Sequence, residues 1–171
     1  MSRRTRFACA LLLLTSLPLA AAPAPTAPAA LPHAGFLPPD DAGLRSEQPE
    51  QQVLLQVVDF SVTLGNQRQS SQQPIPITTP TLVKLRAKPV SKAAKAGDLS
   101  TVLIHFEADG KSLKKAAYDA TSRTLTLNYP LSRYRPVLDL LRNGGSIYCQ
   151  FLSYPNGHVW ADLHLGPVRV R

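Results

Sequence analysis

The chain has 171 residues, a formal charge of +8 and two cysteines. That length accommodates one domain of common size behind an N-terminal extension. Only Cys149 remains once a leader carrying Cys9 is removed, so an internal disulfide is excluded.

The leader is MSRRTRFACALLLLTSLPLAAA. Arg3, Arg4 and Arg6 form a positive start, Phe7 to Leu19 an apolar run, and small residues follow, the layout of a secretory signal peptide over residues 1–22. The apolar run is short and interrupted by Thr15, Ser16 and Pro18, which argues against a spanning helix, so no transmembrane anchor is expected after cleavage. Two cleavage points compete, after Ala20-Ala21-Ala22 and after Ala27-Pro28-Ala29. Cys9 lies inside the apolar run and is badly placed for lipid attachment. A periplasmic or secreted protein is expected.

Seven prolines fall within residues 18–39, among alanines, and a polar stretch follows. Such composition buries little and favours extended conformations, so residues 23–50 read as a flexible arm. The folded body is 51–171. Losing Arg3, Arg4 and Arg6 leaves 16 basic against 11 acidic side chains, a charge of +5.

Within the body, VLLQVVDFSVTL at 53–64 alternates with period two and predicts one long half-buried strand. Leu54, Val58, Phe60, Val62 and Leu64 fall on one side, Leu55 and Val57 on the other. GNQRQSSQQP has turn composition. A strand over 81–87 is bracketed by Pro76, Pro80 and Pro89, which places it at a sheet edge. A basic loop, SKAAKAGD, leads into a strand over 101–108 with Val102, Ile104, Phe106 and Ala108 inward, and Asp109-Gly110 signals a turn. KKAAYDATSRTLTLNY reads as a hairpin turning at Asp119 to Arg123. Pro136 and Asn143-Gly144 delimit a short helix at about 136–142. Six or seven strands with one helix predict a mainly β chain, either an antiparallel β-sandwich or a small α+β domain.

The last element, SIYCQFLSYPNGHVWADLHL, is a hairpin whose register decides its chemistry. A two-residue turn at Asn156-Gly157 mixes apolar and polar residues on both faces. A three-residue loop, Pro155-Asn156-Gly157, pairs Tyr154 with His158 and separates them. Ile147, Cys149, Phe151 and Ser153 then join Val159, Ala161, Leu163 and Leu165 inward, which buries Cys149 as an inert thiol. The outward face gathers Tyr148, Gln150, Leu152, Tyr154, His158, Trp160, Asp162 and His164.

Three readings fit that face. It is covered, its polar tips finding partners. Or it recognises a protein through Tyr148, Tyr154, His158, Trp160, Asp162 and His164, rigid amphipathic side chains of the kind that anchor interfaces. Or Asp162 and His164, two residues apart and roughly 6.6 Å along the strand, begin a metal site that lacks a defined third ligand.

Lys84, Arg86, Lys88, Lys92, Lys95, Lys111, Lys114 and Lys115 form a basic run in sequence. Solvation is the plain reading, and an anionic envelope glycan is the functional one. Export argues against nucleic acid. No nucleophile-elbow, zinc-protease or phosphate-loop motif occurs. His105 and Glu107 are strand-mates that could form an acid–base pair in a small hydrolase, but read as the solvated side of a strand. The sequence therefore predicts a non-enzymatic binding protein without cofactor. Its partner is an envelope or secreted protein, on which it acts as inhibitor, immunity-type protein or assembly accessory. A glycan or a metal is the alternative ligand.

Overall fold

A computed structural model describes residues 33–45, 47–78, 81–90, 97–143 and 145–166, of which 67–70 and 73–78 are described by their backbone alone. The leader, the first part of the arm, Lys92, Lys95, Pro80 and Gly144 lie outside the described residues.

The alternating segments form strands β1 (Gln51–Thr63), β2 (Gln67–Ser70), β3 (Gln73–Thr78), β4 (Leu82–Pro89), β5 (Ser100–Glu107), β6 (Ala117–Asp119) and β7 (Thr124–Pro130). Helix α1 (Tyr134–Arg142) follows, then β8 (Ile147–Ser153) and β9 (Val159–Leu165). Seven strands make one sheet in the order β6-β7-β5-β4-β1-β8-β9, while β2 and β3 pair as a separate ribbon. That ribbon arises only in part from the stretch read as a turn, whose Gln- and Ser-rich sequence shows no apolar alternation. β3 runs on past it through Ile75 and Ile77, and the prolines interleaved with them mask the strand signal.

The sheet is a single curled layer, a half-barrel, and the expected sandwich is not formed. Curling lets the inner face pack on itself. Leu55, Val83, Leu85, Val102, Ile104, Leu125, Leu127, Cys149 and Phe151 share one core, and the Tyr118 and Phe151 rings, from opposite flanks of the sheet, come within 6.2 Å. The sheet is also mixed. β7 runs parallel to β5 because β6, after the turn at Asp109-Gly110, takes the outer position and β7 returns between them. Parallel neighbours need such a crossover.

β4 is interior, flanked by β1 and β5, and not at an edge. Pro89 closes the strand opposite Leu55, so no mid-ladder donor is lost. β1 contains a bulge. Val57 pairs with Ala87 and Asp59 with Arg86, leaving Val58 as the extra residue, 46% exposed. The bulge reverses the faces: Leu55 and Val57 point inward before it, Phe60 and Val62 after it. Uninterrupted alternation had assigned these residues to opposite sides. On β5, Val102, Ile104 and Phe106 are inward as expected, while Ala108 lies beyond the strand and is exposed.

Helix α1 starts two residues earlier than Pro136, after a 3₁₀ turn at Leu131–Arg133. Proline as the third helical residue costs nothing, because the first N–H groups of a helix have no partner within it. Asp109 Oδ1 accepts from the Ser132 amide (3.2 Å) and hydroxyl (2.8 Å), and the Asn143 amide closes the other end on Asp139 O at 3.0 Å. Val137, Leu138 and Leu141 seal one end of the core, and Tyr134 meets Phe106 edge-on at 5.2 Å. Burying each such aliphatic side chain contributes about 1.5–3 kcal/mol.

Candidate functional site

The β8–β9 hairpin adopts the three-residue loop. The Tyr154 amide donates to His158 O and the Gly157 amide to Tyr154 O, both at 2.9 Å, and Gly157 takes φ +76°, the left-handed conformation that glycine meets without strain. Asn156 Oδ1 accepts from the His158 amide at 2.9 Å. Ser153 then faces Val159, Leu152 faces Trp160, Gln150 faces Asp162 and Tyr148 faces His164. The two faces separate as the turn chemistry predicts. Cys149 is fully buried among apolar side chains, and burial, aided by the charge of Asp162, pushes its thiol up.

The outward face is occupied. Residues 33–45, within the segment read as a flexible arm, form two short 3₁₀ stretches, Ala34–Phe36 and Pro39–Arg45, and lie over the hairpin. At one end His33 packs edge-on to Tyr148 at 4.5 Å and Phe36 stacks on His164 at 3.9 Å. In the middle Leu37 is buried with Leu152 and Tyr154, and Trp160 packs against them. At the other end His158 Nε2 lies 2.9 Å from Asp41 Oδ2, with Arg45 Nε 3.4 Å from the same oxygen. Asn156 Nδ2 donates to Leu44 O at 2.9 Å.

Four side chains form a polar chain beneath the segment. Trp160 Nε1 donates to Asp162 Oδ2 at 2.6 Å, Asp162 Oδ1 holds His164 Nδ1, and His164 Nε2 meets His33 Nδ1 at 2.6 Å. The two imidazoles meet nitrogen to nitrogen, so a single proton fits between His164 Nε2 and His33 Nδ1. Burial, and secondly the charge of His164, lower the His33 pKa, while Asp162 pulls it up.

Gln150 lies between Tyr148 and Leu152 on this face. It is fully buried, yet neither amide atom has a hydrogen-bond partner. Tyr154 Oη also makes no well-aligned hydrogen bond, although the Arg45 guanidinium lies beside it. Burial raises the Tyr154 pKa, and the Arg45 charge opposes this.

Tyr148, Tyr154, His158, Trp160, Asp162 and His164 are thus brought together on one face. His33, Phe36, Leu37 and Asp41 join them and were not legible as site residues. Their only sequence signal is an aromatic-leucine pair, Phe36-Leu37, in proline-rich surroundings. Asp162 commits both oxygens to Trp160 and His164, and among the described residues no group of three or more His, Cys, Asp or Glu side chains is placed to hold a metal ion.

The basic residues are dispersed. Lys84, Arg86 and Lys88 project from the outer side of β4, with Arg86 paired to Asp59. Lys111 and Lys114 lie in the loop before β6, Lys111 being 4.0 Å from Glu107. Lys115 donates to Gly157 O at 3.2 Å across a cleft of about 320 Å³ that separates the β6 approach from β9. His105 and Glu107 sit on the outer side of β5, half-buried, and line neither this cleft nor the one of about 370 Å³ beside the β1 bulge. Comparison with protein-family models, curated proteins and solved structures returns no match.

Proposed function

We propose that the protein is an exported, non-enzymatic binding protein that engages a protein partner through the outer face of the β8–β9 hairpin, as an inhibitor, immunity-type protein or assembly accessory of the envelope. One observation carries the reading: the face already holds a stretch of polypeptide, by an aromatic stack, a buried leucine and a histidine–carboxylate pair. Tyrosine and tryptophan present large areas with few rotamers to freeze, and histidine and aspartate beside them give direction to the contact. The N-terminal sequence supports the export part of the reading.

The test replaces Trp160 and His158 together, because both are partly accessible whereas Tyr154 is buried. Trp160→Ala with His158→Ala is expected to remove a partner captured from an envelope fraction by crosslinking, with the circular dichroism spectrum unchanged. Equal capture by a folded double variant would refute the reading.

A further inference from the structure

We infer that residues 33–45 are an internal ligand, and that the partner of the hairpin face is a peptide that displaces them by reproducing their chemistry: an aromatic ring or imidazole, then an apolar side chain, then a carboxylate. The inference rests on the hairpin face being the binding surface and adds what that surface recognises.

The segment is attached as a ligand is. Its main chain is hydrogen-bonded mostly within itself, Phe36 to His33 and Leu37 to Ala34, and no ladder joins it to β8 or β9 among the described residues. The anchors are side chains in the order ring, leucine, carboxylate: His33 and Phe36 on Tyr148 and His164, Leu37 on Leu152 and Tyr154, Asp41 on His158. These positions run the length of β8 from Tyr148 to Tyr154, roughly 20 Å at the rise of a strand. Between the anchors the segment buries little: Ala34, Gly35, Pro39, Asp40, Ala42 and Gly43 are exposed, and Leu44 is 54% exposed.

Gln150 supplies the second, independent observation. A fully buried amide with neither atom satisfied is rare in a settled interface and carries a desolvation cost. The internal ligand leaves that cost in place. A peptide that laid a main-chain amide or an Asn or Gln side chain against Gln150 would remove it, and so would bind better than the segment it displaces. The segment makes no hydrogen bond to Gln150.

The probe is a synthetic peptide of sequence HAGFLPPDDAGLR, residues 33–45, added to the full chain and followed by the emission of Trp160, the single tryptophan. Leu37→Glu frees the face. His33→Ala with Asp41→Asn is the second opening variant should the first fail to fold. The peptide is expected to bind an opened chain saturably, and to bind the unmodified chain at least tenfold more weakly, because a tethered competitor acts at roughly millimolar effective concentration. A peptide with asparagine at the Asp41 position is expected to lose fivefold or more. No saturable binding to either folded, opened variant, or equal binding to opened and unmodified chains, would overturn the inference.

The two readings separate cleanly. Peptide binding alongside partner capture indifferent to Trp160→Ala with His158→Ala leaves the internal ligand standing and sinks the binding-surface reading. Capture that depends on Trp160 and His158 yet is unchanged by Leu37→Glu sinks the displacement and leaves the surface.

Discussion

Gln150 shows how much a single side chain can disclose. Its neighbours across the sheet are Leu54 and Asp162, and its own amide is closed off from solvent without a partner. A lost hydrogen bond of this kind costs about 1–3 kcal/mol. Gln150→Leu, close in volume, is therefore expected to stabilise the fold by about 1 kcal/mol, a rise of about 3–6 °C in a thermal melt for a domain of this size. A lower melting temperature would show that the amide is satisfied in solution. Retaining a destabilising glutamine at this position fits a surface kept ready for a ligand better than one finished by its own arm. The same scale explains Cys149. Its direction along β8, and with it the raised thiol pKa, follows from the loop residues six positions away.

At the scale of elements, the clasp formed by residues 33–45 has an acid-sensitive contact at its His33 end. At the His33 end two imidazoles meet, and full protonation of both sets N–H against N–H. His33 is also approached by the rings of Tyr148 and Phe36, and by the carboxylate of Asp162 through His164. Its lowered pKa means that the closed clasp binds fewer protons than the open one. The stabilisation is complete above the ordinary histidine value of 6.5 and is lost as pH falls below it. Acid should thus lift the His33 end. Iodide quenching of Trp160 is expected to rise between about pH 7 and about pH 5, the window below 6.5 in which His33 gains its proton. His33→Ala should flatten the profile, and a flat profile in the unmodified chain would count against the coupling.

Elements also differ in how far the sequence discloses them. The register of β8–β9 was readable because Pro155-Asn156-Gly157 specifies a turn and because one choice alone sorts Cys149 and Phe151 from Trp160 and His164. The bulge at Val58 was not, since an extra residue is invisible to period-two counting when both flanking stretches alternate. β4 looked like an edge because prolines bracket it, yet the described ladder carries its proline only at the end. Residues 33–45 showed no period at all, for a ligand-like segment is held by four side chains, His33, Phe36, Leu37 and Asp41, rather than by a continuous face.

For the molecule as a whole, one core inside one curled sheet implies a single cooperative transition. Leu55 stands at its centre, fully buried and paired to Pro89 on one side and Cys149 on the other. Leu55→Ala is expected to cost 2–5 kcal/mol, with fluorescence and circular dichroism reporting the same midpoint in a denaturant titration. Two separate midpoints would show that the clasp and the sheet melt independently. The parallel β5–β7 pairing and the curl were beyond sequence reasoning for one reason. Strand order depends on contacts between residues far apart along the chain, and no local pattern encodes which neighbour a strand will choose.

The meeting of His33 with His164 spans 131 positions of the chain. During synthesis the segment that covers the hairpin emerges long before the hairpin that it covers. Its resting place does not exist until β9 has turned back on β8. Closure of the clasp then comes after the hairpin has formed, and the shielding of Trp160 becomes a signal that the chain has folded through β9.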